Sequence, residues 1–186
     1  MGKSLFLTVI YVVCSLCYMA AQGLVNVKHY SVKDGMSQNT VQGVLQDNEG
    51  YIWMATWNGL EKFDGYSFKN YKTYPTDKVK LQYNRLVNLQ LGGNQMLVCQ
   101  SYDRRVYLFD IRRECFEDVF AYHPEVKLCT AASKIITLPN GMVWIVGTNG
   151  DLWRIDCFRY KDKGGLVYLP AHSDAERKRY VFTVSL

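Results

Sequence analysis

The stretch Asp47-Asn48-Glu49-Gly50-Tyr51-Ile52-Trp53-Met54-Ala55-Thr56-Trp57-Asn58-Gly59-Leu60-Glu61-Lys62-Phe63-Asp64 decides the fold, because the chain repeats it. It returns as Leu138-Pro139-Asn140-Gly141-Met142-Val143-Trp144-Ile145-Val146-Gly147-Thr148-Asn149-Gly150-Asp151-Leu152-Trp153-Arg154-Ile155-Asp156. Gly50 and Gly141, like Trp53 and Trp144, stand 91 residues apart, two periods of about 45.5. A degenerate middle copy falls halfway, over 96–110, with Asp64, Asp110 and Asp156 each 46 residues apart. It carries Val98 in place of the tryptophan and lacks the Asp-x-x-Gly turn, so its interior is expected to pack differently.

Each copy reads as strand, turn, strand, turn, strand. An apolar run (41–45, 86–91, 135–138) leads to a Gly or Asn turn at Glu49-Gly50, Gly92-Gly93 or Asn140-Gly141. A second strand then reaches Asn58-Gly59 or Asn149-Gly150, strong hairpin signals, and a third ends at the repeated Asp. A fourth strand is placed at 67–71, 115–120 and 166–169. Four antiparallel strands in a repeat of roughly 40–50 residues make one β-propeller blade. The chain is therefore expected to be all-β, a partial propeller of about three blades (roughly 36–80, 81–126 and 127–172) with the first strand of a fourth at 173–186. Trp53 and Trp144 are expected in the core, and Asp47, Gly50, Gly59, Asp64, Asp110, Gly141, Gly150 and Asp156 are expected to build the turns.

Composition agrees with this pattern. The 186 residues include 14 Tyr, 8 Phe, 4 Trp and 14 Gly but only 4 Pro, a mixture suited to short strands joined by glycine turns. The net charge of +5 is scattered, with Arg104-Arg105, Arg112-Arg113 and Arg177-Lys178-Arg179 as the only tight groups; a solvated face is expected and no nucleic-acid contact.

At the N-terminus, Met1-Gly2-Lys3 precedes an uncharged run from Leu5 to Met19 and the small pair Ala20-Ala21. This reads as a secretory signal over 1–21, cut after Ala21, with an uncleaved anchor as the alternative. Cys14 and Cys17 lie inside that run and carry no chemistry. Export would place Cys99, Cys115, Cys129 and Cys157 in an oxidising compartment, where three pairings are open; buried free thiols or one bridge are expected, and no metal site, since no CxxC pair occurs outside the signal. His29, His123 and His172 are read as surface residues. No cofactor motif and no catalytic motif is present.

The run Asp47-x-x-Gly50-x-x-Trp53-x-x-Thr56-x-Asn58-Gly59-Leu60-x-x-Phe63-Asp64, with Ser37-Gln38-Asn39-x-Val41 ahead of it, resembles the two-component regulator propeller repeat. The likeness covers about 26–186 and is strongest in the first copy. It implies the periplasmic sensor region of a hybrid two-component histidine kinase. In that family two seven-bladed propellers and a β-sandwich connector precede a membrane helix, kinase, receiver and DNA-binding module, and many members respond to glycan-derived oligosaccharides. The kinase-side parts do not occur in this sequence, so it would inherit only a non-catalytic sensor role, with any membrane link or homodimer belonging to the full-length sensor. Its 186 residues read as a cut propeller, a piece of a longer sensor or the product of a broken gene. A weaker resemblance to the Asp-box turns of sialidase-type propellers leaves a secreted hydrolase or lyase as an alternative, and a protein-binding scaffold as a third.

A ligand would meet the loops entering the innermost strands, Ser37-Gln38-Asn39-Thr40, Tyr83-Asn84-Arg85 and Cys129-Thr130. Gln38, Asn39, Asn84 and Arg85 with nearby Trp57 and Tyr102 are the candidate ligand-binding residues, because amides and a guanidinium suit hydroxyls and aromatic faces suit sugar rings. The competing reading is that Asn39 and Asn84 only cap turns.

Overall fold

The computed structural model describes residues 27–129 and 131–171, with scattered positions between 2 and 11. The cleavage site after Ala21, Thr130, His172 and the fourth-blade strand expected at 173–186 lie outside the described residues. The chain forms two compact units, Met1–Tyr30 and Ser31–Leu186. In the first, the described early positions are helical and exposed, and Lys28 Nζ lies 4.8 Å from the Tyr30 ring centre. Among the described residues no helix is long and apolar enough to cross a membrane.

The second unit is a partial β-propeller of three four-stranded antiparallel sheets, each formed in chain order. The first holds β1 (Val41–Gln46), β2 (Ile52–Thr56), β3 (Gly59–Phe63) and β4 (Phe68–Tyr71); the second β5 (Leu86–Leu91), β6 (Met96–Ser101), β7 (Val106–Asp110) and β8 (Cys115–Glu117). The third holds β9 (Ala132–Thr137), β10 (Met142–Gly147), β11 (Leu152–Asp156) and β12 (Leu166–Leu169). Each innermost strand carries a bulge at the same place, with Gln42, Val87 and Ser133 as the extra residues. The bulge interrupts alternation, which is why the run at 135–138 hid the true start of β9 at Ala132. The fourth strand expected over 115–120 stops at Glu117, because the Asp118 side chain accepts the Phe120 N–H and starts a 3-10 turn over Val119–Tyr122.

Alternation along the strands gives each sheet two faces, and neighbouring sheets share two cores. Between the first and second, Trp53, Ala55, Leu60 and Tyr71 meet Leu97, Cys99, Phe109 and Phe116. Trp53 is fully buried, its ring centre 5.5 Å from Phe109, which meets Tyr71 and Phe116 edge-on at 5.0 Å. Between the second and third, Met96, Val98, Val106 and Leu108 meet Val143, Ile145, Trp153 and Ile155. Val98 thus faces the next sheet as Trp53 does. Trp144 lies on the other face of β10 from Val143 and Ile145, the face turned away from the second sheet, and is half-buried. His123 departs from the surface reading, being buried with Nε2 2.6 Å from Tyr160 O. Cys99, Cys115, Cys129 and Cys157 are free thiols, three of them buried, the first of the two arrangements expected for them.

The repeated acidic residues close turns. Asp64 Oδ1 accepts the N–H groups of Tyr66 and Ser67, Asp110 Oδ1 those of Arg112 and Arg113, and Asp156 Oδ1 that of Phe158. Gly59 takes φ 109, and a Cβ there would stand 2.3 Å from Tyr71 O, so only glycine fits. In the middle blade neither turn uses a left-handed glycine, although Gly92 and Gly93 lie in the first of them. Asn94 and Gln95 adopt left-handed backbone at φ 55 between β5 and β6, and Arg104 at φ 65 replaces the hairpin glycine.

A second repeated device holds the segment entering each blade. Ser37, Gln82 and Lys127 are spaced by one period, and each is gripped by the third strand of its own blade. The Ser37 N–H donates to Glu61 Oε1 at 2.7 Å, the Gln82 N–H to the Tyr107 hydroxyl oxygen at 3.2 Å, and Trp153 Nε1 donates to Lys127 O at 2.7 Å. Glu61 has no exposed surface, and burial pushes its carboxyl above the ordinary value of 4.5 despite the Ser37 hydrogen bonds. A raised carboxyl pKa favours the folded protein while the group is protonated and withdraws that advantage as pH rises through the folded value. Glu61→Gln is therefore expected to stabilise the protein at neutral pH, with the gain shrinking toward pH 4; chemical denaturation across that range reads it.

Asp47 ties its own turn to the buried core. Its Oδ1 accepts the Glu49 and Tyr51 N–H groups and its Oδ2 the buried Trp53 indole N–H at 2.7 Å. Asp47→Ala should cost about 1–3 kcal/mol by leaving that indole unpaired, and the increment should shrink in a Trp53→Phe background, where no indole needs a partner. Denaturation of the four chains in this cycle measures the difference.

Candidate functional site

In every blade the hairpin between the second and third strands ties its backbone to the segment entering the innermost strand. Trp57 N donates to Thr40 O, Tyr102 N to Arg85 O at 2.9 Å, and Thr148 N to Ala131 O. One period separates the members of each series, so the hairpin residue and the entering residue are set side by side in all three blades. The first two blades offer aromatic side chains at the hairpin position, and the second offers an arginine at the entering position.

These positions converge on an open cavity of about 560 Å³ lined by Trp57, Tyr83, Asn84, Arg85, Tyr102 and Asp103. The Arg85 guanidinium carbon lies 4.3 Å from the Trp57 ring centre and 5.1 Å from that of Tyr102. Both distances are within cation–π range, so the two rings hold the arginine. The rings stay available to a ligand, with Trp57 43%, Tyr83 52% and Tyr102 61% exposed.

Four of the six candidate residues line this cavity: Trp57, Asn84, Arg85 and Tyr102. Asn84 is occupied by the scaffold, its Oδ1 accepting the Thr73 N–H at 2.8 Å and its Nδ2 donating to Thr73 O at 2.9 Å. Gln38 and Asn39 stand apart from the cavity lining. Gln38 Oε1 accepts the Asn39 N–H, and Asn39 Oδ1 accepts the Val32 N–H at 2.9 Å, so both amide oxygens are committed to the turn around them. Tyr83, from the expected ligand-facing loop, and Asp103, from the neighbouring hairpin, complete the lining. Asp103 sits one residue after Tyr102, as Asn58 does after Trp57, and that shared offset was the available signal.

The Asp103 carboxylate is taken up by its neighbours: Oδ1 accepts the Ser101 hydroxyl at 2.5 Å and Oδ2 pairs with Arg105 Nε at 3.3 Å. It is the one carboxylate among the lining residues. Among the described residues no group of three or more metal-ligating side chains comes together.

Two further cavities lie elsewhere. One, of about 440 Å³, sits at the turns around Asp47, Gly93 and Phe158; the other, of about 650 Å³, runs along β4 and β8 past Tyr71, Glu114 and Tyr122. In the latter, Lys69 and the Tyr71 hydroxyl hold the Glu114 carboxyl below its ordinary value. In that lining the carboxylates of Glu114 and Glu117 and the hydroxyls of Tyr71 and Tyr122 are already paired.

No family model matches the chain. Histidine kinase P4 of Formosa agariphila is 41% identical over 54 residues, which is 29% of this chain and 4% of that protein. The extracellular domain of a proposed one-component system of B. thetaiotaomicron is 23% identical with a TM-score of 0.51, covering 73% of this chain and 16% of that one. A second crystal structure of that same protein's extracellular domain, described there as part of a proposed hybrid two-component system, is 21% identical with a TM-score of 0.51, covering 77% and 17% respectively. This chain therefore spans only a small part of each of these proteins. Its three sheets are a propeller segment with the fold of the extracellular domains of such regulatory systems.

Proposed function

We propose that the chain is a non-catalytic, exported sensor module of a two-component signalling protein and that it binds a glycan-derived oligosaccharide in the cavity between the first two blades. The observation that carries this reading is the cavity itself, where three exposed aromatic rings surround one arginine. Sugar rings present flat faces of C–H groups that pack on aromatic surfaces, and their hydroxyls take fixed polar partners. The shared fold with an extracellular regulatory domain and the 54-residue similarity to a histidine kinase support the signalling side of the proposal.

The hydrolase alternative finds less support in the same place. Glycoside hydrolysis ordinarily needs two carboxyl groups flanking the bond, about 5–10 Å apart. The cavity lining provides Asp103 alone, and its oxygens are engaged by Ser101 and Arg105.

Titrating the purified chain with a panel of neutral and acidic tri- to hexasaccharides, read by tryptophan fluorescence and by release of new reducing ends, tests the proposal. Saturable quenching without product is expected. Trp57→Ala and Tyr102→Ala should each weaken binding by about tenfold or more, the cost of losing a buried aromatic surface. Turnover of any oligosaccharide would overturn the non-catalytic reading, and unchanged affinity in both variants would overturn the site.

A further inference from the structure

Arg85 is the uncompensated charge of the cavity. Among the described residues its guanidinium has no hydrogen-bond or ion-pair partner; its contacts are the ring faces of Trp57 and Tyr102. The neighbouring carboxylate that would ordinarily neutralise it, Asp103, is already paired with Arg105. A guanidinium lying over aromatic rings has its flat faces covered and its N–H edge free, and that edge presents donors in the fork that matches a planar oxyanion. The half-buried position at a cavity wall reduces the water that would otherwise satisfy those donors.

We propose that Arg85 reads an anionic group on the ligand, so that the cavity takes an acidic oligosaccharide carrying a carboxylate or a sulfate. This rests on the oligosaccharide reading above and narrows it. The rings and the arginine divide the work: Tyr83, Tyr102 and Trp57 supply sugar-stacking surface, and Arg85 selects charge. Lysine at this position would supply charge without the fork or the stacking that fixes its direction.

The test compares paired probes on the whole chain: trigalacturonate against its methyl ester, and a sulfated galactose disaccharide against its desulfated form. Within at least one pair the anionic member should bind about 10- to 100-fold more tightly, the range of a charge-assisted hydrogen bond pair, and the pair that does so identifies carboxylate or sulfate as the group read. The preference should fall as salt is raised from 20 to 500 mM, a readout that needs no variant. Arg85→Gln should reduce the anionic member to the affinity of its neutral counterpart, whereas Arg85→Lys should retain part of the preference and so separate loss of charge from loss of fold. Equal affinity within both pairs, with binding still dependent on Trp57, would overturn the charge reading and leave the oligosaccharide reading standing. Failure of every oligosaccharide, including those of the wider panel, to bind would overturn both.

Discussion

The structure depends on how each blade fastens the segment that enters its innermost strand. That segment is held twice: a third-strand side chain grips it at Ser37, Gln82 or Lys127, and a hairpin N–H grips it at Thr40, Arg85 or Ala131. A short strand at the centre of a propeller has a turn only at its far end, because the loop before it crosses from another blade. Two anchors just ahead of the bulge fix the entering segment against its own blade, and the bulge residue follows them directly. The anchors also satisfy backbone groups that the blade-to-blade crossing would otherwise leave unpaired near the core.

The chemistry of the grip changes from blade to blade while its place does not. A carboxylate accepts from Ser37, a phenol accepts from Gln82, and an indole donates to Lys127. Tyr107 and Trp153 can fill that position with apolar bulk because each faces a neighbouring sheet, across from Trp53 and Val98 respectively. Glu61 points to the other side of the first sheet, where Ser37 and Asn70 are close by and no further described sheet packs. Its raised pKa is the cost of placing a carboxyl where the other blades place aromatic rings.

Much of this was legible in the sequence because a propeller writes its period into the chain. The 46-residue spacing of Asp64, Asp110 and Asp156 located the third strands, and the Asn-Gly pairs located two hairpins. What the sequence concealed was local substitution by unlike chemistry. Arg104 and the Asn94-Gln95 pair do the work of glycines without resembling them, and Ser133 breaks the alternation that would have announced β9. Glu61, Tyr107 and Trp153 share a role that no similarity of residue type reveals. The candidate site was legible in part: Trp57, Tyr102 and Arg85 come together as their loop positions implied, whereas Gln38, Asn39 and Asn84 have their amide oxygens engaged by neighbouring backbone N–H groups, an outcome decided by distances of about 3 Å that spacing alone does not fix.

The site is thus a by-product of the fastening. The hairpin N–H that binds the entering strand needs only backbone, so the side chains at the two joined positions are free to vary without loosening the blade. In the third blade they are Thr148 and Ala131, small residues that leave the anchor bare; in the second they are Tyr102 and Arg85, with Trp57 reaching across from the first. A scaffold that repeats an anchor every 45 or 46 residues presents a ring of such variable positions at fixed geometry, and recognition can be written there by side-chain choice alone. That separation explains why the arginine can stay unpaired: the stability of the blade does not rest on its charge, so its donors remain available to whatever the cavity receives.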